Sequence, residues 1–130
     1  MLRSSYAFLQ QGMVTAIVID DDVDTVDVFC DYLEIKNVQV VGRGHHGKAA
    51  VELYQKHRPD IVFLDLMMPE YDGLYALENI RKINSEAKVV IVTADLREDT
   101  AAKLAKLKPT SVFIKPYDIE KISQMVASIN

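Results

Sequence analysis

A handful of polar side chains in this sequence could do chemistry together, and each closes an apolar run. Asp20-Asp21-Asp22 follows Ala16-Ile-Val-Ile19, Asp65 follows Ile61-Val-Phe-Leu64, Thr93 follows Val89-Val-Ile-Val92, and Lys115 follows Val112-Phe-Ile114. Carboxylates brought together raise one another's pKa unless a cation compensates. Mg²⁺ takes oxygen ligands, often one or two carboxylates with waters and phosphate oxygens. A lysine ammonium and a threonine hydroxyl beside such an ion would contact phosphoryl oxygens. Asp20, Asp21 and Asp65 therefore read as a Mg²⁺ site that also receives a phosphoryl group. Pro69 and Gly73 shape a tight loop after Asp65, which can turn the Met67 backbone carbonyl toward the cation. Asp22 reads as a helix cap and is left out of the site.

The elements between these residues must bring them to one place. Short apolar runs at Val14–Asp20, Val38–Val41, Ile61–Leu64, Lys88–Val92 and Val112–Ile114 read as strands. Between them lie helical stripes. Val26, Phe29, Cys30 and Leu33 form the first, and Ala50, Leu53, Tyr54 and His57 the second, ended by Arg58-Pro59. Leu74, Leu77, Ile80 and Ile83 form the third, and Ala101, Leu104, Ala105 and Leu107 the fourth, stopped by Pro109. Ile119, Ile122, Met125, Val126 and Ile129 form the last, with Asp118 as its N-cap. Gly42-Arg43-Gly44 reads as punctuation closing the second strand. Strict strand–helix alternation implies a doubly wound α/β sandwich with a parallel sheet, whose C-terminal strand ends share one edge.

Composition narrows the class. At 130 residues, with 49% hydrophobic and 26% charged side chains, the chain fits one soluble globular domain. A formal charge of -4 argues against direct nucleic-acid binding, which needs many cations to neutralise phosphates. Cys30 is the only cysteine, so an internal disulfide or a multi-cysteine zinc site is excluded; it reads as a small core residue. Residues 1–12 are expected to be a flexible N-terminal extension, with the domain occupying 13–130. No apolar stretch is long enough to enter and cross a bilayer and residues 1–12 are too weak for a secretory signal, so a cytoplasmic location is expected.

The combined motifs resemble the receiver domains of two-component response regulators, and stand-alone chemotaxis-type regulators in particular. The resemblance rests on Asp20-Asp21, on Asp65-x-x-Met68-Pro69-x-x-Asp72-Gly73, on Thr93-Ala94 and on Lys115-Pro116, and it covers roughly residues 13–130. It implies a flavodoxin-like (βα)5 three-layer sandwich with strand order 2-1-3-4-5. It further implies that Asp65 is the phosphoacceptor, that Asp21, Asp65 and the Met67 carbonyl hold Mg²⁺ with Asp20 acting largely through water, and that Thr93 and Lys115 contact the phosphoryl group. A histidine kinase or histidine phosphotransfer protein would be the donor. A downstream protein would read the face made by helix 4, strand 5 and helix 5. Such a module is a phosphorylation-switched binder with self-catalysed phosphotransfer and dephosphorylation rather than an enzyme.

Three positions depart from the family pattern. Val112 stands where an aromatic partner of the switching threonine is frequent, Lys108-Pro109 replaces a common Gly-Ala, and His45-His46 occupies what is usually a small polar loop. Two other readings compete. Asp20-x-Asp22 superficially resembles the first motif of haloacid-dehalogenase-like phosphohydrolases, but no acidic pair follows a further strand after Lys115. A non-phosphorylated pseudo-receiver adaptor would not need the complete acid, threonine and lysine set.

Overall fold

The computed structural model describes residues 13–94 and 96–129; the expected extension at 1–12 lies outside the described residues. Five strands and five helices alternate: β1 Val14–Ile19, α1 Val23–Ile35, β2 Val38–Gly44, α2 Gly47–His57, β3 Ile61–Leu64, α3 Gly73–Ile83, β4 Val89–Thr93, α4 Glu98–Leu107, β5 Ser111–Ile114 and α5 Ile119–Ile129. All strand pairs are parallel, in the order β2-β1-β3-β4-β5. The sandwich inferred from the alternation is thus the observed fold.

Period-two alternation along the strands divides the core into two layers. Ile17, Ile19, Val62, Leu64, Val89 and Ile91 face α2, α3 and α4, where they meet Ala50, Tyr54, Leu77, Ile80 and Leu104. Ala16, Val18, Ile61, Phe63, Val90 and Val92 face α1 and α5, meeting Phe29, Cys30, Leu33, Ile122 and Val126. Because both faces are covered, the central strands are apolar without interruption, which is why they were legible. Cys30 is buried in this second layer, and burial pushes its thiol up to about 11.

Most boundaries fall within a residue or so of the sequence reading, but four local expectations change. Strand β2 does not close at Val41; it runs on to Gly44, with an irregularity in its pairing opposite Ala16 and Ile17. Gly42 and Gly44 are close-approach positions inside the strand, since a Cβ on Gly44 would sit 2.9 Å from Ile19 Cδ1 and one on Gly42 3.0 Å from Leu53 Cδ2. His57 is exposed, because the core-facing row of α2 ends at Tyr54 and Arg58 then closes the helix in the left-handed region (φ 44°). Ala105 is exposed as well, leaving Leu104 as the one buried residue of α4. In the loop after β3, Glu70 takes the left-handed conformation (φ 65°).

Candidate functional site

The C-terminal ends of β1, β3, β4 and β5 deliver the acids, the threonine and the lysine to one edge of the sheet. Asp20 and Asp65 are buried at 6% exposure each, while Asp21 is exposed. The backbone N–H of Asp65 donates to the Ile19 carbonyl at 3.0 Å, so the ladder between β1 and β3 fixes the two acids relative to each other. One carboxylate oxygen from each of Asp20, Asp21 and Asp65 lies within 4.8 Å of the others.

Lys115 is the counter-charge. Its ammonium donates to Asp20 Oδ2 at 2.7 Å and lies 3.7 Å from Asp65 Oδ2. Burial alone would lower the lysine pKa, but the hydrogen bond to Asp20 and the charges of Asp65 and Asp20 outweigh it, and the ammonium is held above its usual value. One ammonium does not balance three carboxylates. Burial raises the Asp65 pKa, Lys115 draws it down and Asp20 pushes it up again, for a net rise. Desolvation likewise raises Asp21, helped by a hydrogen bond to Asp20 and its charge. A compact set of hard oxygen donors with surplus negative charge is chemically matched to Mg²⁺.

Thr93 ends β4 and is fully buried. Its carbonyl accepts the Lys115 N–H at 2.7 Å, which couples the last residue of β4 to the lysine after β5. Below Lys115, Tyr117 packs edge-on against Phe29 (5.4 Å between centroids), and Phe29 against Phe63 (5.0 Å).

The loop after Asp65 is pinned from two sides. The Gly73 N–H donates to the Leu66 carbonyl at 3.0 Å, and a Cβ on Gly73 would lie 2.2 Å from the Asp65 carbonyl oxygen, so only glycine fits this approach. Asp72 caps α3, its Oδ1 accepting from the Tyr75 N–H at 2.9 Å. Met67 directs its N–H to Asp65 Oδ1 at 3.4 Å, while its side chain is exposed. Asp22 caps α1, accepting from the Asp24 N–H at 3.1 Å, as expected for a residue outside the site.

The sequence reading missed the support on the β2 side. His45 Nδ1 lies 2.9 Å from the Asp20 carbonyl oxygen, and since a carbonyl only accepts, Nδ1 carries the proton. His46 instead accepts the Ala49 N–H on its Nδ1 at 3.1 Å, capping α2. The two adjacent histidines thus use Nδ1 in opposite senses, one donating to brace the acid loop and one accepting to start a helix. Gly47 completes the brace, its N–H donating to the Tyr71 carbonyl at 2.6 Å with no room for a Cβ beside Asp72 O. The His-His-Gly run directly after a strand was the available signal.

A doubly wound α/β domain with an acidic pocket at its strand ends is the class that fold and site define. Residues 16–127 match the response regulator receiver domain family, and the chain belongs to it. The chain is 28% identical over 115 residues to the chemotaxis protein CheY of Bacillus subtilis, covering 88% of this chain and 96% of that one. It is 29% identical over 117 residues to protein CcdB of the same organism, covering 89% and 98%. Among solved structures it resembles a chain of the CheX–CheY–BeF3–Mg²⁺ complex from Borrelia burgdorferi, with a TM-score of 0.83, 28% identity and 92% of each chain covered. Receiver domains are signalling modules of two-component systems, and phosphoaspartate and Mg²⁺ at an acidic cluster are typical of the family. No helix among the described residues is long and apolar enough to cross a membrane.

Proposed function

We propose that this chain is a stand-alone response regulator that accepts a phosphoryl group on Asp65 from the phosphohistidine of a histidine kinase or phosphotransfer protein, and thereby changes its affinity for a partner protein. The observation that carries the reading is the buried Asp65 carboxylate lying 3.7 Å from the Lys115 ammonium, with Asp20 and Asp21 in the same oxygen cluster. A carboxylate oxygen of Asp65 forms the new P–O bond as the P–N bond breaks, and the bonding pair returns to the imidazole nitrogen. Hydrolysis of the acyl phosphate later releases inorganic phosphate and restores the carboxylate. Lys115 neutralises charge on the transferring oxygens and Thr93 donates its hydroxyl to one of them. Asp21, Asp65 and the Met67 carbonyl are the residues to hold Mg²⁺, with Asp20 acting largely through water. The ion supplies charge neutralisation at the phosphoryl group.

Once phosphorylated, Asp65 draws on Thr93 and Lys115 through charge-assisted hydrogen bonds, which biases the α4–β5–α5 face that a downstream protein would read. The chemotaxis-type relatives, one of them crystallised with CheX, BeF3 and Mg²⁺, favour this single-domain reading. The haloacid-dehalogenase reading gains nothing from Asp22, which caps a helix.

The test is incubation with a small acyl phosphate or phosphoramidate and Mg²⁺. One phosphoryl group should appear on the wild type and none on Asp65→Asn, because the amide is a poor nucleophile. Labelling of the variant at Asp22 would favour the hydrolase. Thr93→Ala should still be labelled but lose most of the amide shift across residues 94–117; a shift equal to wild type would remove Thr93 from the coupling.

A further inference from the structure

Asp20 is held at four points, and two of them come from the end of β2 and the residue after it. Its carboxylate accepts from the Lys115 ammonium at 2.7 Å and from the Asp22 N–H at 3.0 Å. Its backbone N–H donates to the Gly44 carbonyl at 3.1 Å, and its carbonyl accepts from His45 Nδ1 at 2.9 Å. The bond to Gly44 continues the β1–β2 ladder, in which Ile19 pairs with Gly44. The bond to His45 does not. It comes from a half-buried side chain 25 residues away, at the point where β1 has ended and the acid loop begins.

What the ring holds is the peptide unit between the two acids. The Asp20 carbonyl and the Asp21 N–H lie in one rigid plane, so fixing the first fixes the start of Asp21. Asp21 lies past the end of β1 and is exposed, yet its carboxylate belongs to the oxygen cluster. The ring itself stands on an anchored loop. His46 caps α2, and the Gly47 N–H donates to the Tyr71 carbonyl at 2.6 Å.

We propose that His45 is a positioning residue of the site: by donating from Nδ1 to the Asp20 carbonyl it sets the Asp20–Asp21 peptide, and with it the affinity of the cluster for Mg²⁺. The inference rests on the ion site proposed above. His45 acts through Asp20 and is not itself a ligand. Groups that orient metal ligands from behind typically contribute about 10–100-fold in affinity.

The test is Mg²⁺ titration calorimetry on wild type, His45→Asn and His45→Leu. Asparagine places an amide donor one bond beyond Cγ, where the ring carries Nδ1, and leucine has no donor. Neither replacement is charged, so the difference between them reads the hydrogen bond. His45→Leu should bind Mg²⁺ about tenfold more weakly, the low end of that range, and His45→Asn within about twofold of wild type. A leucine variant as tight as wild type, or an asparagine variant as weak as leucine, overturns the proposal. A wild type that binds no Mg²⁺ overturns the ion site as well. Binding lost in Asp21→Ala but kept in His45→Leu overturns the positioning role alone. Imidazole ¹⁵N shifts of the wild type decide the matter if the leucine variant does not fold. Nδ1 of His45 should carry a proton in chelator and keep it when Mg²⁺ is added; an unprotonated Nδ1 overturns the proposal.

Discussion

The two sides of the sheet's centre are built differently. On one side β1 and β3 are buried along almost their whole length, and the acids at their ends are locked by ladder and loop hydrogen bonds. On the other, β5 alternates between half-buried and exposed residues, and α4 has a single fully buried residue, Leu104, with Leu107 partly buried against the core. Thr93 and Lys115 stand on the boundary, the first at the end of fully buried β4 and the second after β5. The proposed function would use this division: an acceptor and ion site gain from fixed geometry, and elements that respond to them from having little burial to lose.

The sharpest way to break the comparison is to empty each side. Phe63→Ala in β3 should cost about 3–5 kcal/mol in urea unfolding, the range for a large buried aromatic. If it costs no more than substitutions in β5, the two sides are equally packed and the contrast is wrong.

Next in size is the site on the locked side. Asp21→Ala should weaken Mg²⁺ binding at least about tenfold, equivalent to about 1.4 kcal/mol, by titration calorimetry. Asp72→Ala should retain the ion and instead lose about 1 kcal/mol of stability, because it removes the cap of α3. Equal loss of the ion in both variants would undo the ligand assignment.

A smaller effect of opposite sign is expected for Asp65→Asn without metal. The raised pKa of Asp65 means that the folded chain holds this proton more tightly than the unfolded chain does. Wild-type stability therefore falls as pH climbs from the ordinary value of 3.8 through the raised one, and the penalty is fully present at neutral pH. The asparagine variant should be more stable by about 1 kcal/mol at pH 7 in chelator, the low end for relieving an uncompensated buried charge. The gap should close as the pH approaches 3.8, and also when Mg²⁺ is added to the wild type. A variant less stable than wild type at neutral pH would show that Lys115 already balances the cluster. Smallest of all, Val112→Ala should change stability by no more than about 0.5 kcal/mol, since the side chain is 37% exposed.

How much the sequence disclosed follows the same division. Strands β1, β3 and β4 were readable because burial on both faces demands unbroken apolar runs, and the acids and lysine were readable because each closes such a run. The α1 stripe of Val26, Phe29, Cys30 and Leu33 is the buried set observed. What escaped was contact that only tertiary structure creates. Gly42 and Gly44 looked like breakers because their reason, the approach of Leu53 and Ile19, is distant in sequence. His45 and His46 looked like a solvated loop because one partner is the Asp20 carbonyl, 25 residues away. His57 fitted the helical period but lay beyond the end of the surface that α2 covers.

Strand β5 has a further consequence, for behaviour at high concentration. Among the described residues it borders the sheet with β4 as its one neighbour, and Val112 and Ile114 stand out at 37% and 47% exposure. An unpaired apolar edge is the usual template for strand addition by another copy and for fibril growth. Here the template is four residues long, and it runs into Lys115, a charge, and Pro116, which has no N–H to continue a ladder. The edge is long enough to offer a partner two apolar side chains and too short to seed a growing sheet.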